Sequence, residues 1–448
     1  MTPTRPWRRF GAATVAAAVL AALALGPAAA QDPAQAAGKI DAADTAWMIA
    51  ATALVLMMSI PGLALFYSGM VRKKNILATM AQTFVATALG SVLWAVLGYS
   101  LTFSGDGAVI GSLDRVMLHG IGLDTVSPLA KTIPEMLFML YQMTFAVITV
   151  ALVAGSVADR MRFSAFVWFA FGWLFLVYVP IAHWVWGGGF LMQLGTIDFA
   201  GGLVVHLNAG VAGLVAALVL GRRHGYGAEN FAPHDLSLAV IGTGLLWVGW
   251  FGFNGGSALG AGSRAVFAIV ATHLAAASGA LAWLALEWLT RGKPSVLGMI
   301  SGAVAGLGTI TPASGFVLPW HGIVIGLMAG VICFYACTWL KTKLGYDDSL
   351  DVFGVHGIGG AVGTLLAGVF ATAAVSATPE LPGGVPGLLE GHPEQLVAQL
   401  YGVLAILAWS GLVTFVLLML VQRLVPLRVG RQQEIEGLDV TQHGEALQ

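Results

Sequence analysis

Along this chain, stretches of about 20 apolar residues recur with short polar breaks between them, which is the length an α-helix needs to cross a bilayer core. Eleven such stretches follow the first thirty residues: 45–70, 76–103, 134–156, 163–183, 201–221, 236–257, 265–289, 296–316, 319–340, 352–373 and 396–422. The expected fold is an all-α polytopic membrane protein of eleven transmembrane helices. Its membrane domain is expected over 31–423 and a tail over 424–448. Residues 1–30 have a different pattern. Arg5, Arg8 and Arg9 precede an apolar stretch from about Ala12 to Leu25, then Gly26, Pro27 and three alanines ending at Ala30. A basic head, a short apolar middle and a small-residue end predict a cleaved signal peptide that leaves Gln31 outside.

The polar breaks set the orientation. With the N-terminus outside, the inner segments hold Arg72, Lys73, Lys74, Arg160, Arg162, Arg222, Arg223, Arg291, Lys293, Lys341 and Lys343. Arg423, Arg428 and Arg431 join them at the end of the last span and in the tail. The outer segments hold only Lys39, Arg115, Lys131 and Arg264. Basic residues collect on the cytoplasmic side, so the N-terminus is expected outside and the C-terminus inside. An odd count suggests a five-plus-five inverted repeat with one extra helix, a common way to build a transport path near the midplane. The segment from Gly201 to Gly210 can be laid over that from Asp351 to Gly360. Val205-His206 and Val355-His356 then coincide, as do Gly210 with Gly360 and Gly213 with Gly363.

Ionisable residues inside spans are expensive and are functional candidates for that reason. His206 and His356 fall about five residues into the fifth and tenth spans, and at about 1.5 Å per residue both lie in the middle half of the membrane. The alternative is a pair of unrelated core histidines bonded to backbone. Asp198 opens the fifth span and suits a helix cap, with an added electrostatic effect at the outer mouth. Trp186 follows the fourth span and Ser257 ends the sixth, after Phe253, while Tyr141 and Phe145 lie one turn apart on the third. Taken alone, Trp186 reads as an interfacial anchor.

Composition narrows the function. The chain is 58% hydrophobic and 10% charged, with a mean hydropathy of +0.84, whereas soluble domains are about 25% charged. A net charge of -1 without a basic run excludes nucleic acid as a partner. Cys333 and Cys337, the only cysteines, lie in an apolar run and suit packing rather than a disulfide or zinc site. No metal or cofactor is expected. Glycines concentrate inside spans, as at Gly298, Gly302, Gly306 and Gly308, where small residues let helices approach closely.

Together these segments resemble the ammonium transporter family (Amt, Mep and Rh proteins) from about Thr45 to Glu445. The resemblance rests on Pro180-Ile-Ala-His-Trp-Val-Trp-Gly-Gly-Gly189, Asp198-Phe-Ala-Gly-Gly-Leu-Val-Val-His206, Gly249-Trp-Phe-Gly-Phe-Asn-Gly-Gly-Ser257 and Asp351-Val-Phe-Gly-Val-His356-Gly. The tail from Glu434 to Glu445 is also similar to the family's inner C-terminal region. The resemblance implies a homotrimer in the cytoplasmic membrane, each subunit with its own narrow pore. By motif, it assigns Trp186 and Ser257 to an outer ammonium-recruitment site, with Tyr141 and Phe145 beside them. Phe145 and Phe253 become stacked gate rings, His206 and His356 paired pore histidines, and Asp198 the outer aspartate. Tyr141 departs from the phenylalanine often found there. The Glu-Gly-Leu-Asp tail segment resembles that of members blocked by a PII-class nitrogen-signalling protein, with Arg222 and Lys341 on a possible docking face.

The chemistry fits that assignment. Ammonium has four N–H donors, aromatic faces attract it by about 2 kcal/mol when desolvated, and the Ser257 oxygen can accept one hydrogen bond. Potassium cannot donate. Moving a bare ion into low dielectric costs on the order of 20 kcal/mol, so the expected route is deprotonation followed by ammonia passage. Burial favours neutral histidines. Three competing classes remain: an intramembrane hydrolase, an ammonium sensor acting through a partner, and an Rh-like gas channel. The first lacks any H-E-x-x-H or G-x-S-x-G pattern, and Trp186 with Ser257 disfavours the third.

Overall fold

Ten helices of the computed structural model, which describes residues 38–378 and 381–447, are long and apolar enough to cross a membrane. They are Ala42–Met70 (α1), Lys73–Phe103 (α2), Glu135–Val157 (α3), Phe163–Gln193 (α4), Gly202–Leu220 (α5), Leu236–Gly255 (α6), Ser263–Arg291 (α7), His321–Leu344 (α9), Phe353–Phe370 (α10) and Pro393–Leu424 (α11). The signal peptide expected over residues 1–30 lies outside the described residues. The stretch expected as span 296–316 forms the shorter helix Val296–Ile310 (α8), of 15 residues. At 1.5 Å per residue it is about 22 Å long, less than a bilayer core of about 30 Å. Pro312 explains the early end, because it has no N–H to continue the helical ladder. Turns follow, and Pro312 presents its carbonyl to the Phe199 N–H at 3.1 Å. The connection before α3, on the side expected to face outward and called outer below, carries a small antiparallel hairpin, Val126–Ser127 with Ala130–Pro134.

Local sequence sets the helix starts. Asp41 accepts the N–H groups of Ala43 and Asp44, Asp235 those of Ser237 and Leu238, and the Ser295 hydroxyl that of Gly298. Each satisfies donors that a helix start leaves unpaired. The glycines of α8 let it press onto α7. A Cβ at Gly302 would come within 2.6 Å of the Gly279 oxygen, and one at Gly306 within 2.2 Å of the Ala275 oxygen. With no hydrophobic force between helices in lipid, such close packing holds the bundle.

At the opposite end, called inner below, charges pair across loops. Arg223 reaches Asp347 at 2.8 Å and Asp159 at 3.4 Å. Burial pushes the Asp347 carboxyl up, but the Arg223 bonds and charge win and hold it below its ordinary value. Arg160 bonds the Gly221 carbonyl, the Ser349 hydroxyl and the Asp347 carbonyl. The tail folds back onto the same loops. Buried Glu434 accepts from Arg428 at 2.7 Å and from the His224 N–H at 2.8 Å. Asp439 accepts the Ala78 N–H at 2.8 Å, near the start of α2.

Candidate functional site

Three cavities follow one another through the bundle. The outer one, about 190 Å³, is lined among others by Phe138, Gln142, Phe145, Trp186, Phe199 and Ser257. Trp186 ends a regular stretch of α4, where Gly188 at φ 91° turns the chain. Its indole N–H donates to the Asp198 carbonyl at 2.8 Å, and its ring meets Phe145 edge-on at 5.7 Å. Ser257 donates its one proton to the Phe253 carbonyl at 2.8 Å, leaving oxygen lone pairs to accept. Tyr141 is buried and does not line this cavity. Its hydroxyl lies 2.8 Å from the Phe253 carbonyl, 3.0 Å from that of Gly252 and 3.2 Å from the Ser257 oxygen.

Beneath the outer cavity the Phe145 and Phe253 rings overlap, with centroids 4.2 Å apart and planes 35° from parallel. The second cavity is about 10 Å³ and is lined by His206, His356, Trp250, Phe253, Phe66 and other apolar side chains. That is room for about one water-sized molecule. The Nδ1 atoms of His206 and His356 are 3.2 Å apart, and both rings are buried. One must donate and the other accept, a contact that two neutral rings can make as a single hydrogen bond. The buried Nε2 of His206 has no partner among the described residues. Trp250 stacks on His206 at 5.4 Å and donates to the Thr311 hydroxyl.

Glycines bring the histidines together. A Cβ at Gly210 would lie 2.2 Å from the Gly357 Cα, so α5 and α10 touch backbone to backbone. A Cβ at Gly360 would meet the Gly202 oxygen and the Leu207 nitrogen at 2.6 Å. His206, Phe253 and His356 each lie in a wide π-type turn, at Gly202–Leu207, Phe251–Gly255 and Phe353–Gly357. Such turns are rare and recur at functional sites. The third cavity, about 480 Å³, shares Phe66, Val304 and His356 with the second and is also lined by Arg223, Glu287, Arg291, Lys341 and Asp351.

Asp198 caps α5 with both oxygens. Oδ1 accepts from Gly201 and Gly202 at 2.8 and 2.7 Å, Oδ2 from Leu203 and Val204 at 2.7 and 3.2 Å. Burial raises its pKa, while these four donors oppose the rise. No oxygen is left to bind a cation directly. Sequence reading missed a counterpart, Asp348, which accepts the Phe353 N–H at 2.7 Å and is fully buried. Its carboxyl is also pushed up, by burial first and Asp351 next, against the pull of Lys341. The available signal was spacing: Asp198 and Asp348 each precede a cavity-lining histidine by eight positions. Trp250 was also missed, because a tryptophan in a span reads as packing.

The three cavities in line through the helical bundle form a candidate transport path, and the matches that follow make the chain a transport protein rather than an enzyme. The sequence model described as the Ammonium Transporter Family matches residues 46–447. An ammonium transporter of Bacillus subtilis is 47% identical over 402 residues, which are 90% of this chain and 97% of that relative. Saccharomyces cerevisiae Mep2 has a solved structure similar to this one, with 39% identity, a TM-score of 0.82, and 88% of this chain and 89% of that one covered. The structure of a Sensor Amt Protein is 29% identical with a TM-score of 0.81, covering 90% of this chain and 98% of that one. The chain belongs to the ammonium transporter family.

Proposed function

We propose that the chain recruits ammonium at the outer cavity, removes one proton and passes ammonia through the narrow cavity to the inner side. The observation that carries this reading is the histidine pair, 3.2 Å apart in a space for one small molecule between two larger cavities. An ion with its water shell does not fit there, and a bare ion costs on the order of 20 kcal/mol to desolvate. Trp186 supplies a cation–π face, Ser257 an acceptor, and Phe145 with Phe253 a gate that thermal ring motion opens. Asp198 works through its cap and its hold on Trp186. The unpartnered His206 Nε2 gives passing ammonia one polar contact.

The same reading takes α8 with the turns after it as an eleventh span, in a five-plus-five inverted repeat. It puts the N-terminus outside after cleavage at Ala30 and the tail inside, in a trimer in the cytoplasmic membrane. A PII-class protein would dock on the inner face. Arg222 is exposed there with its Nε on the Gly345 carbonyl, whereas the Lys341 amine is held by the Asp348 carbonyl and Asp351. The likeness to a sensor covers the membrane fold, which transporters share, so it does not favour a sensing role. Methylammonium uptake into proteoliposomes, with simultaneous current recording, tests the mechanism. His206→Ala and His356→Ala should each impair selective flux. The double variant should be less impaired than the two effects added, as for coupled neighbours. Unchanged flux and selectivity in both single variants would falsify the pore role.

A further inference from the structure

His183 lies one turn before the end of a regular stretch of α4, three residues ahead of Trp186, and is fully buried. Its Nδ1 is 2.7 Å from the Thr102 carbonyl and its Nε2 is 2.5 Å from the Gly107 carbonyl. Both partners are acceptors only. A neutral imidazole has one N–H and one bare nitrogen, so one contact would set two lone pairs against each other. Turning the ring over does not help. It would put ring carbons at the same distances, well inside the roughly 3.3–3.6 Å of a C–H···O contact.

We propose that His183 is a buried imidazolium that donates from both nitrogens and staples the outer loop to the segment that presents Trp186. The position suits a cation, because carbonyls at a helix C-terminus carry partial negative charge. No carboxylate is bonded to the ring among the described residues. Asp106 borders Gly107 in the loop, and at its base Arg115 pairs with Glu135, which also accepts from Tyr99. Further bonds run along the same seam. The Trp184 indole donates to the Val109 carbonyl at 2.8 Å, and the Phe190 N–H to that of Ala108 at 2.9 Å. The seam has no slack: a Cβ at Gly187 would lie 2.1 Å from the Thr102 oxygen. His183 is thus a positioning residue. It fixes the turn after Trp186, while the Asp198 carbonyl fixes the indole itself.

The link to recruitment rests on the proposed role of Trp186, whereas the protonation claim does not, so two measurements separate them. Nitrogen-15 spectra of histidine-labelled protein, with His183 assigned by comparison with His183→Gln, should show both of its ring nitrogens protonated at neutral pH. A bare ring nitrogen overturns the proposal. In uptake assays, His183→Gln, which keeps one donor, should raise the half-saturation for methylammonium about three- to tenfold, the range of one lost hydrogen bond. The maximal rate per folded protein should change less. Where Trp186→Leu does raise half-saturation, a His183→Gln that only lowers the amount of folded protein at unchanged half-saturation also overturns the proposal. If both nitrogens are protonated yet neither His183→Gln nor Trp186→Leu shifts half-saturation, the recruitment role of Trp186 fails and the staple stands as architecture alone.

Discussion

The outer and inner ends of the path are built on the same spacing of aspartate and histidine but use charge in opposite ways. At the outer end, Asp198 directs both oxygens into four backbone N–H groups, and among the described residues no charged side chain lines the outer cavity. At the inner end, Asp348 makes one such bond, and the cavity is wider and lined by Arg223, Arg291, Lys341, Glu287 and Asp351. Those charges are mutually engaged: Arg223 with Asp347, Arg291 with Glu287, Lys341 with Asp351. The contrast separates two tasks. On the proposed mechanism the outer mouth has to attract a cation without trapping it, which aromatic faces do and a free carboxylate would not. On the same mechanism the inner mouth releases a small neutral molecule, so its ion pairs can serve to fasten loops and tail.

The contrast breaks most sharply at the two aspartates. In Asp198→Asn the amide NH2 faces two backbone N–H groups, leaving buried donors unpaired at roughly 1–3 kcal/mol each. Transport should fall more than about tenfold on that scale, with a lower melting temperature in detergent. Asp348→Asn can keep its oxygen on the Phe353 N–H, so its uptake should stay within about threefold of the parent. Initial rates normalised to protein in the membrane check both. Equal losses would mean that the two caps do the same work.

A second effect should be confined to the outer end. Trp186→Leu removes a cation–π face of about 2 kcal/mol, so the half-saturation for methylammonium should rise by up to about thirtyfold. Potassium should then compete more strongly in the uptake assay. Arg291→Gln, at the inner cavity, should leave outside half-saturation unchanged. If Trp186→Leu behaves like the parent in affinity and potassium insensitivity, Trp186 is an interfacial anchor.

Much of this was legible in the sequence because a bilayer imposes few choices. Apolar runs gave most helix positions within a few residues, since each must satisfy its own backbone hydrogen bonds in lipid. The exception was the stretch from 296 to 316, where an apolar count passes through Pro312 although the helical ladder does not. His206 and His356 were visible as rare polar residues in spans. Their contact was not, because it depends on Gly210 meeting Gly357, and glycine pairs across two helices leave no signal in one chain. Asp348 went unseen because it lies among other charged loop residues, whereas Asp198 stands almost alone.

Tyr141 is where sequence reading and geometry differ most in emphasis, and it gives the smallest predicted effect. The resemblance puts its ring beside the recruited cation, yet the side chain is buried behind Ser257 and away from the outer cavity. Its single proton has a nearer acceptor in the Phe253 carbonyl, at 2.8 Å, than in the Ser257 oxygen, at 3.2 Å. Ser257 spends its own proton on that same carbonyl. The hydroxyl therefore steadies the turn that carries Phe253 and leaves the Ser257 lone pairs free for the proposed contact with ammonium. Tyr141→Phe keeps the ring and its edge-on contact with Phe145 at 5.0 Å, and forfeits one hydrogen bond worth about 0.5–1.5 kcal/mol. Half-saturation for methylammonium should rise no more than about threefold, since the lost bond acts on the support and not on the cation. Maximal flux and potassium discrimination should match the parent. A tenfold shift, or a loss of discrimination, would show that the phenol faces the substrate, and would move the boundary of the recruitment site inward from Trp186 and Ser257.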